Sequence, residues 1–278
     1  MRLRMQRRLR KHVLRMEHAL PGRELTRRVR QLEGEGLSIA LALTEIIRDQ
    51  TTGWFVRGHA AQVLAVADRA MPLHILLDQL ASEDGKDELW DTALALEGLA
   101  DVQAVTPLIA MLASPSAHRR RAVARALGWI PTAGHNSAVA LSRLLTDSSQ
   151  PAEVREEAAE SLGYLNSVRA IAPLISVLHD ADVRVRFWAV FALGSICDRR
   201  SGKQLDRSVV PALEGMLQDL SVPPGNWWSV AREALAMLGK LDPPEAKWRD
   251  QLANDIRQVL LDKNASPDDR RWAEAYAG

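Results

Sequence analysis

Arginine recurs along this 278-residue chain at a spacing suited to gripping anions. Arg57, Arg120, Arg155, Arg186 and Arg270 each stand eight residues before a glycine or a residue in its place, and Trp90 and Ala231 complete that column. Guanidinium groups repeated along one surface could hold the carboxylates or phosphates of an extended ligand, because each presents a planar fork of donors. They could equally serve the fold, by pairing with turn acids such as Asp180 and Asp182 in their own or the next unit. Tryptophan adds to the first reading. Of eight tryptophans, against two tyrosines and three phenylalanines, Trp54, Trp90, Trp188, Trp227, Trp228 and Trp272 fall in the same stretches. A large amphipathic ring beside Arg is a frequent hot-spot pairing. Arg57, Trp90, Arg120, Arg155, Arg186, Trp188 and Trp228 therefore form the candidate partner-binding set, and core packing between repeats is the competing reading for each ring. Trp227 and Trp228, adjacent on a helix, point about 100° apart and cannot both face one core.

Catalytic chemistry is thin. Seven histidines, His12, His18, His59, His74, His118, His135 and His179, are scattered without a repeated carboxylate partner. No glycine-rich phosphate loop occurs, and Ala133-Gly134-His135-Asn136 reads as a turn that leaves His135 in a loop. Cys197 is the only cysteine, which excludes an intrachain disulfide or a multi-thiolate zinc site, fits a reducing compartment, and reads as packing at an apolar helix end. No catalytic, cofactor-binding or metal-binding residue is assigned, and a non-catalytic role is favoured.

Charge is distributed unevenly. Thirty-six basic and 35 acidic side chains leave a formal charge of +1, which excludes a uniformly basic nucleic-acid binder. Residues 1–30 carry eleven basic and two acidic side chains, net +9, so the remaining 248 residues are net −8. Within this arm, Met5, Leu9, Val13, Met16 and Leu20 recur at intervals of four and three, an amphipathic helix ending at Pro21-Gly22. Its basic face includes Arg4, Arg7, Arg8, Arg10 and Lys11. Three roles compete: a cap over the first repeat, a protein or nucleic-acid contact, and attachment to an anionic membrane surface. No apolar run approaches the roughly 18 residues that span a bilayer, and Arg7-Arg8 is followed by no apolar export stretch, so a cytoplasmic location is expected.

These side chains must be positioned by a repeat. Gly98, Gly128, Gly163, Gly194, Gly239 and Gly278, with Ala65 in the same role, recur at intervals of 33, 30, 35, 31, 45 and 39. Five residues before each stand Ala60, Ala93, Val123, Ala158, Ala189, Ala234 and Ala273. Nine before come Val56, Leu89, Arg119, Val154, Val185 and Val230; one before come Leu64, Leu127, Leu162, Leu193 and Leu238. Offsets that differ by four share a helix face, so this face is predicted to be buried, its small residues letting a neighbouring helix come close. Pro72, Pro107, Pro173 and Pro211 suit first helical turns, and Ser114, Ser116, Asp147, Ser148, Asp180 and Asp182 suit caps between paired helices. No strand-like alternation is found. The insertion 198–208, basic through Arg199, Arg200, Lys203 and Arg207, and the loop 221–226 account for the interval of 45.

The units resemble HEAT repeats of the phycocyanobilin-lyase subtype, through Val154-Arg155 with Leu162-Gly163, Val185-Arg186 with Leu193-Gly194, and Val230 with Leu238-Gly239. The resemblance implies an all-α, right-handed, armadillo-like α-solenoid of about seven helix pairs over residues 36–278, preceded by the arm at 1–35. The arginine column and the absence of a catalytic cluster favour a scaffold or adaptor that binds a protein through the groove. Two alternatives accompany it. A bilin lyase or chaperone subunit would handle a tetrapyrrole; a nucleic-acid-binding protein like the HEAT-like DNA glycosylases would use concave Trp, Arg and Asp residues. An acidic body weighs against the latter. Some HEAT-like hydroxylases bind di-iron through repeated His-Glu pairs, which this chain lacks.

Overall fold

Proline in a first helical turn, a short capping side chain and an apolar stripe recur together, and in the structure, a computed structural model, each recurrence is a helix pair. It describes residues 9–11, 13, 20–35, 37–68, 70–130, 134–197, 206, 208–225, 228–241 and 246–277. Arg4, Arg7, Arg8 and Trp227, and most of the insertion 198–208, lie outside the described residues. Among those described there is no strand.

The chain divides into two units, residues 1–133 and 134–278. In the first, α1 (Leu20–Gly34) precedes three pairs: α2 (Ile39–Arg48) with α3 (Trp54–Ala65), α4 (Ala70–Ser82) with α5 (Lys86–Leu99), and α6 (Val105–Met111) with α7 (Ala117–Gly128). In the second, α8 (Gly134–Thr146) pairs with α9 (Ala152–Leu165) and α10 (Ile171–Ser176) with α11 (Val183–Cys197). Then α12 (Val209–Gly215) pairs with α13 (Val230–Lys240), and α14 (Ala246–Leu261) with α15 (Pro267–Tyr276). The second helices stack directly, α3 on α5 and α5 on α7 in one unit, α9 on α11 and α11 on α13 in the other.

The proline signals act as the sequence predicts and the capping signals do so in part: Ser116 and Asp182 accept from helix amides, whereas α9 starts after Pro151 without a side-chain cap and Asp147 accepts from Ser149 within the turn. Pro72, Pro107, Pro173 and Pro211 are each the third residue of a first helix, where a missing N–H costs no intrahelical bond. Ser116 accepts from the Arg119 amide at the start of α7, and Ser229 and Ser266 cap α13 and α15 in the same way. All seven small residues of the offset-five column are fully buried, as are Leu89, Val154, Val185 and Val230 at offset nine. At Gly163 an added Cβ would stand 3.0 Å from the Ala192 Cα, so α9 and α11 approach backbone to backbone. One expectation fails: Gly134-His135-Asn136 begins α8 rather than forming a turn, so His135 is an exposed first-turn residue. Glycine and asparagine are both tolerated at a helix start, which makes the string ambiguous in sequence.

Pro21 and Gly22 stand in the first turn of α1, which starts at Leu20, and residues 14–19 of the arm lie outside the described residues. Leu9 and Val13 are buried, Thr26 on α1 donates to the Val13 carbonyl at 3.4 Å, and Arg10 pairs with Glu33 at 2.5 Å. Lys11 is exposed.

Candidate functional site

The arginine column divides on inspection of its partners. Arg120 donates to the carbonyls of Ser114 and Pro115 at 2.7 and 3.0 Å, and Arg186 to those of Asp180 and Ala181 at 2.8 and 3.2 Å. Two units apart, the same side chain thus closes the same turn between paired helices. Arg186 also reaches Asp219 of the next pair at 2.7 Å, Arg155 reaches Asp180 at 2.9 Å, and Arg270 takes the Asp262 carbonyl at 2.6 Å. Burial alone would raise the Asp219 carboxyl, but hydrogen bonds from Arg186 and Ser221 outweigh it and hold it below the usual carboxylate range. The Arg155 and Arg186 side chains are only 11% and 16% exposed.

Arg57 departs from the candidate surface altogether. It is fully buried, donating to the Ile47 carbonyl at 3.0 Å, to Gln79 at 3.0 Å and to Thr92 at 2.9 Å, while Thr92 in turn donates to buried Glu83 at 2.8 Å. One guanidinium therefore ties α2, α4 and α5 together. Its long stem and five donors suit such a cross-link, and none of it is offered to a partner. Arg119, at offset nine, does a similar task by taking the Leu80 and Glu83 carbonyls at the end of α4.

Open surface lies instead beside Trp90. On the second helices of the first unit, Arg121 stands 4.9 Å over the Trp90 ring and Arg125 5.7 Å from it, while Arg125 lies 4.9 Å over Trp129. The row thus alternates Arg121, Trp90, Arg125 and Trp129. Glu97 holds Arg125 at 3.4 Å; burial raises its carboxyl and Arg125 opposes the rise. A cavity of about 270 Å³ opens at one end, lined by Lys86, Asp87, Trp90, His118 and Arg121. A second of the same size opens at the other, with Trp54, Phe55, His59, Leu94 and Trp129 in its wall. Phe55 is 45% exposed and stacks edge-on with Trp54 and His59. The sequence reading named Trp90 but not the residues stacked beside it: Arg121 and Arg125, four apart on one face of α7, and Trp129, which follows the end of that helix.

In the second unit, Trp188 packs edge-on against Phe187 and Phe191, and Phe191 against Tyr164, which is 40% exposed. Trp228 turns inward: its indole N–H donates to Glu233 at 2.6 Å, and the Tyr276 hydroxyl donates to the same carboxylate at 2.9 Å. Glu233 is buried and its carboxyl is raised by that burial, against the two hydrogen bonds. Trp272 and Cys197 are core. No group of three or more His, Cys, Asp or Glu among the described residues is placed to hold a metal ion.

Residues 138–224 match the HEAT repeats family. Two mutant forms of Kap121p are similar in structure, with TM-scores of 0.55 and 0.54 at 16% identity, over 85% of this chain and 28% of theirs. The fold of the chain is that of an α-solenoid, built from stacked helix pairs. The chain spans little more than a quarter of the Kap121p chain, and at this identity the likeness shows the fold alone. A designed armadillo repeat protein in complex with the peptide (KR)4 is similar at a TM-score of 0.48 and 19% identity, over 80% of this chain and 99% of its own. No curated protein matches the sequence. The family match is to the general repeat and does not reach the phycocyanobilin-lyase subtype. No helix among the described residues is long and apolar enough to cross a membrane.

Proposed function

We propose that this solenoid is a non-catalytic protein-binding scaffold that takes its partner on the face of its second helices. The observation that carries the reading is the row Arg121, Trp90, Arg125 and Trp129, with exposed Phe55 beside it. Aromatic rings held by stacked guanidinium groups are rigid, amphipathic anchors of the kind that dominate protein interfaces. Of the arginine column, Arg120, Arg155 and Arg186 serve the turns and the neighbouring pair, so they are not taken as contacts. The basic arm acts as a cap: buried Leu9 and Val13 cover α1, and exposed Lys11 belongs to its solvated side.

The test is quantitative capture of partners from native lysate by the nuclease-treated full chain, compared with Trp90→Ala and Trp188→Ala variants shown by circular dichroism to remain folded. Truncating an anchor should reduce a stoichiometric protein partner by at least about tenfold. A protein set unchanged by both variants, or an eluate that nuclease removes or that carries a bilin spectrum, would refute the reading.

A further inference from the structure

We infer that the recess over Gly58 and Gly98, between α3, α5 and the end of α7, is a socket for one neutral aromatic side chain presented by a protein partner. This deepens the proposed function and rests on it.

The recess begins with a departure from the repeat. Seven residues before the repeated glycine, the other units carry Asp91, Arg121, Glu156, Phe187, Arg232 and Arg271, whereas the first unit, with Ala65 in the glycine's place, carries Gly58. Arg121, Glu156 and Arg232 lie half-buried, so a side chain at this offset covers neighbouring surface, and glycine uncovers it. Gly98 stands opposite on α5. A Cβ added there would be 3.6 Å from the Gly58 Cα and would meet no other neighbour within 4 Å. Two absent side chains thus leave bare backbone as the floor of the cavity of about 270 Å³. At Gly163 and Gly194 the corresponding space is filled, by the Ala192 backbone at 3.0 Å in one case and by the Met237 side chain in the other.

The walls set the chemistry of the occupant. Trp54, Phe55, His59 and Trp129 supply rings, and Phe55 lies edge-on to both Trp54 and His59, with centroids 5.0 and 4.6 Å away. A further ring set among them can make the same edge-to-face contacts, worth roughly two- to tenfold in affinity beyond the area an aliphatic group would bury. The polar groups of the wall are engaged within the protein. His59 Nδ1 hydrogen-bonds the Phe55 carbonyl at 2.7 Å, Gln62 donates to the Gly98 carbonyl, and Glu97 pairs with Arg125 at 3.4 Å. A charged occupant would give up its own hydration and disturb these contacts, whereas a neutral ring displaces only water. Size and place decide the rest. Pockets for drug-sized ligands run from about 300 to 1,000 Å³, so this recess suits a single side chain. Trp129 is also the last ring of the row Arg121, Trp90, Arg125 and Trp129, so a side chain seated here continues the proposed partner face.

The experiment is a ligand-observed NMR titration of the full chain with N-acetyl-tryptophanamide, N-acetyl-tyrosinamide, N-acetyl-leucinamide and indole, repeated on Gly58→Gln and Phe55→Ala variants shown by circular dichroism to remain folded. The two aromatic amides should bind saturably with Kd in the millimolar range, and the leucine amide at least about threefold more weakly. Gly58→Gln supplies a long side chain of the kind other units carry at this offset, and it should weaken the aromatic amides at least about tenfold; Phe55→Ala should weaken them at least about threefold. Gly58→Ala, whose added methyl meets only ordinary contacts of 3.6 Å or more, replaces Gly58→Gln if that variant does not fold. Leucine and aromatic amides that bind equally, or aromatic binding unchanged by the variants, would overturn the inference. So would the absence of saturable binding by either aromatic amide up to about 20 mM. Indole that binds more than about tenfold tighter than the amides overturns the side-chain assignment in favour of a small molecule. A lysate partner retained by Gly58→Gln as well as by wild type overturns it too. Each of these results leaves the scaffold reading to the capture with Trp90→Ala and Trp188→Ala, which judges it separately.

Discussion

Alanine placed at two equivalent glycines should change stability in opposite directions. In Gly163→Ala the new methyl would stand 3.0 Å from the Ala192 Cα and 3.1 Å from its Cβ. These are atoms of a neighbouring helix's backbone and of its shortest side chain, so no rotamer change can make room, and α9 and α11 must separate. Overpacking of that kind costs about 1–3 kcal/mol. The gain in helix propensity from Gly to Ala returns about 1 kcal/mol, leaving a net loss of up to about 2 kcal/mol. Gly98 occupies the same place in its repeat, yet the nearest atom to its added methyl is the Gly58 Cα at 3.6 Å, an ordinary contact. Gly98→Ala should therefore stabilise by about 0.5–1 kcal/mol, through propensity and the unfolded chain's lost freedom. The two would be compared by urea unfolding followed by circular dichroism, with amide exchange to place each effect, since repeat arrays can unfold in parts. Exchange should speed in α9 and α11 for Gly163→Ala and slow in α3 and α5 for Gly98→Ala. Should Gly163→Ala raise the midpoint as Gly98→Ala does, close helix approach would not be the reason for the glycine column.

Arg57→Leu should destabilise the first unit by about 3–5 kcal/mol, because it removes three hydrogen bonds and leaves Glu83 buried without its cation. A thermal midpoint within 2 °C of wild type would contradict this. Glu233, raised by burial, favours folding in its neutral form: its contribution is full below the ordinary carboxyl value near 4.5 and declines as pH rises through the raised folded value. Glu233→Gln can still accept from Trp228 and donate to the Tyr276 oxygen. The variant should therefore lose this pH dependence and protect α13 and α15 more strongly than wild type at neutral pH. Amide exchange across a pH series, read as the difference between the two proteins, checks it, and a variant less protected than wild type at pH 7 would refute it.

The fold was legible because packing in a stacked repeat imposes the same demand at each unit. The offset-five column is small wherever a neighbouring second helix passes, and Ala60 and Ala273, at opposite ends of the array, are buried to the same degree. Proline in the first turn and serine before the second helix act locally, so their meaning survives without knowledge of the tertiary structure. His135 was misread because glycine and asparagine serve helix starts as well as turns, and only the following apolar residues of α8 decide between them.

The task of the arginine column was less legible, for a related reason. A side chain that recurs in every unit is placed there by something that recurs in every unit, and in this chain that is the turn between paired helices. Arg120 and Arg186 bond carbonyls five and six residues before themselves, a contact any repeat can make with itself. Arg57 keeps the column position but meets buried Thr92 and Gln79, so the same residue is drawn inward. A ligand, by contrast, meets only one or two units, and the residues that face it need not be periodic. Arg121, Arg125 and Trp129 share no repeat column with the arginines; their signal is a four-residue spacing that runs along α7 and past its end. Trp90 fills a column position where five other units carry Arg, and it became the floor of a cavity. In this solenoid, departure from the repeat marked the candidate binding surface more faithfully than the repeat itself.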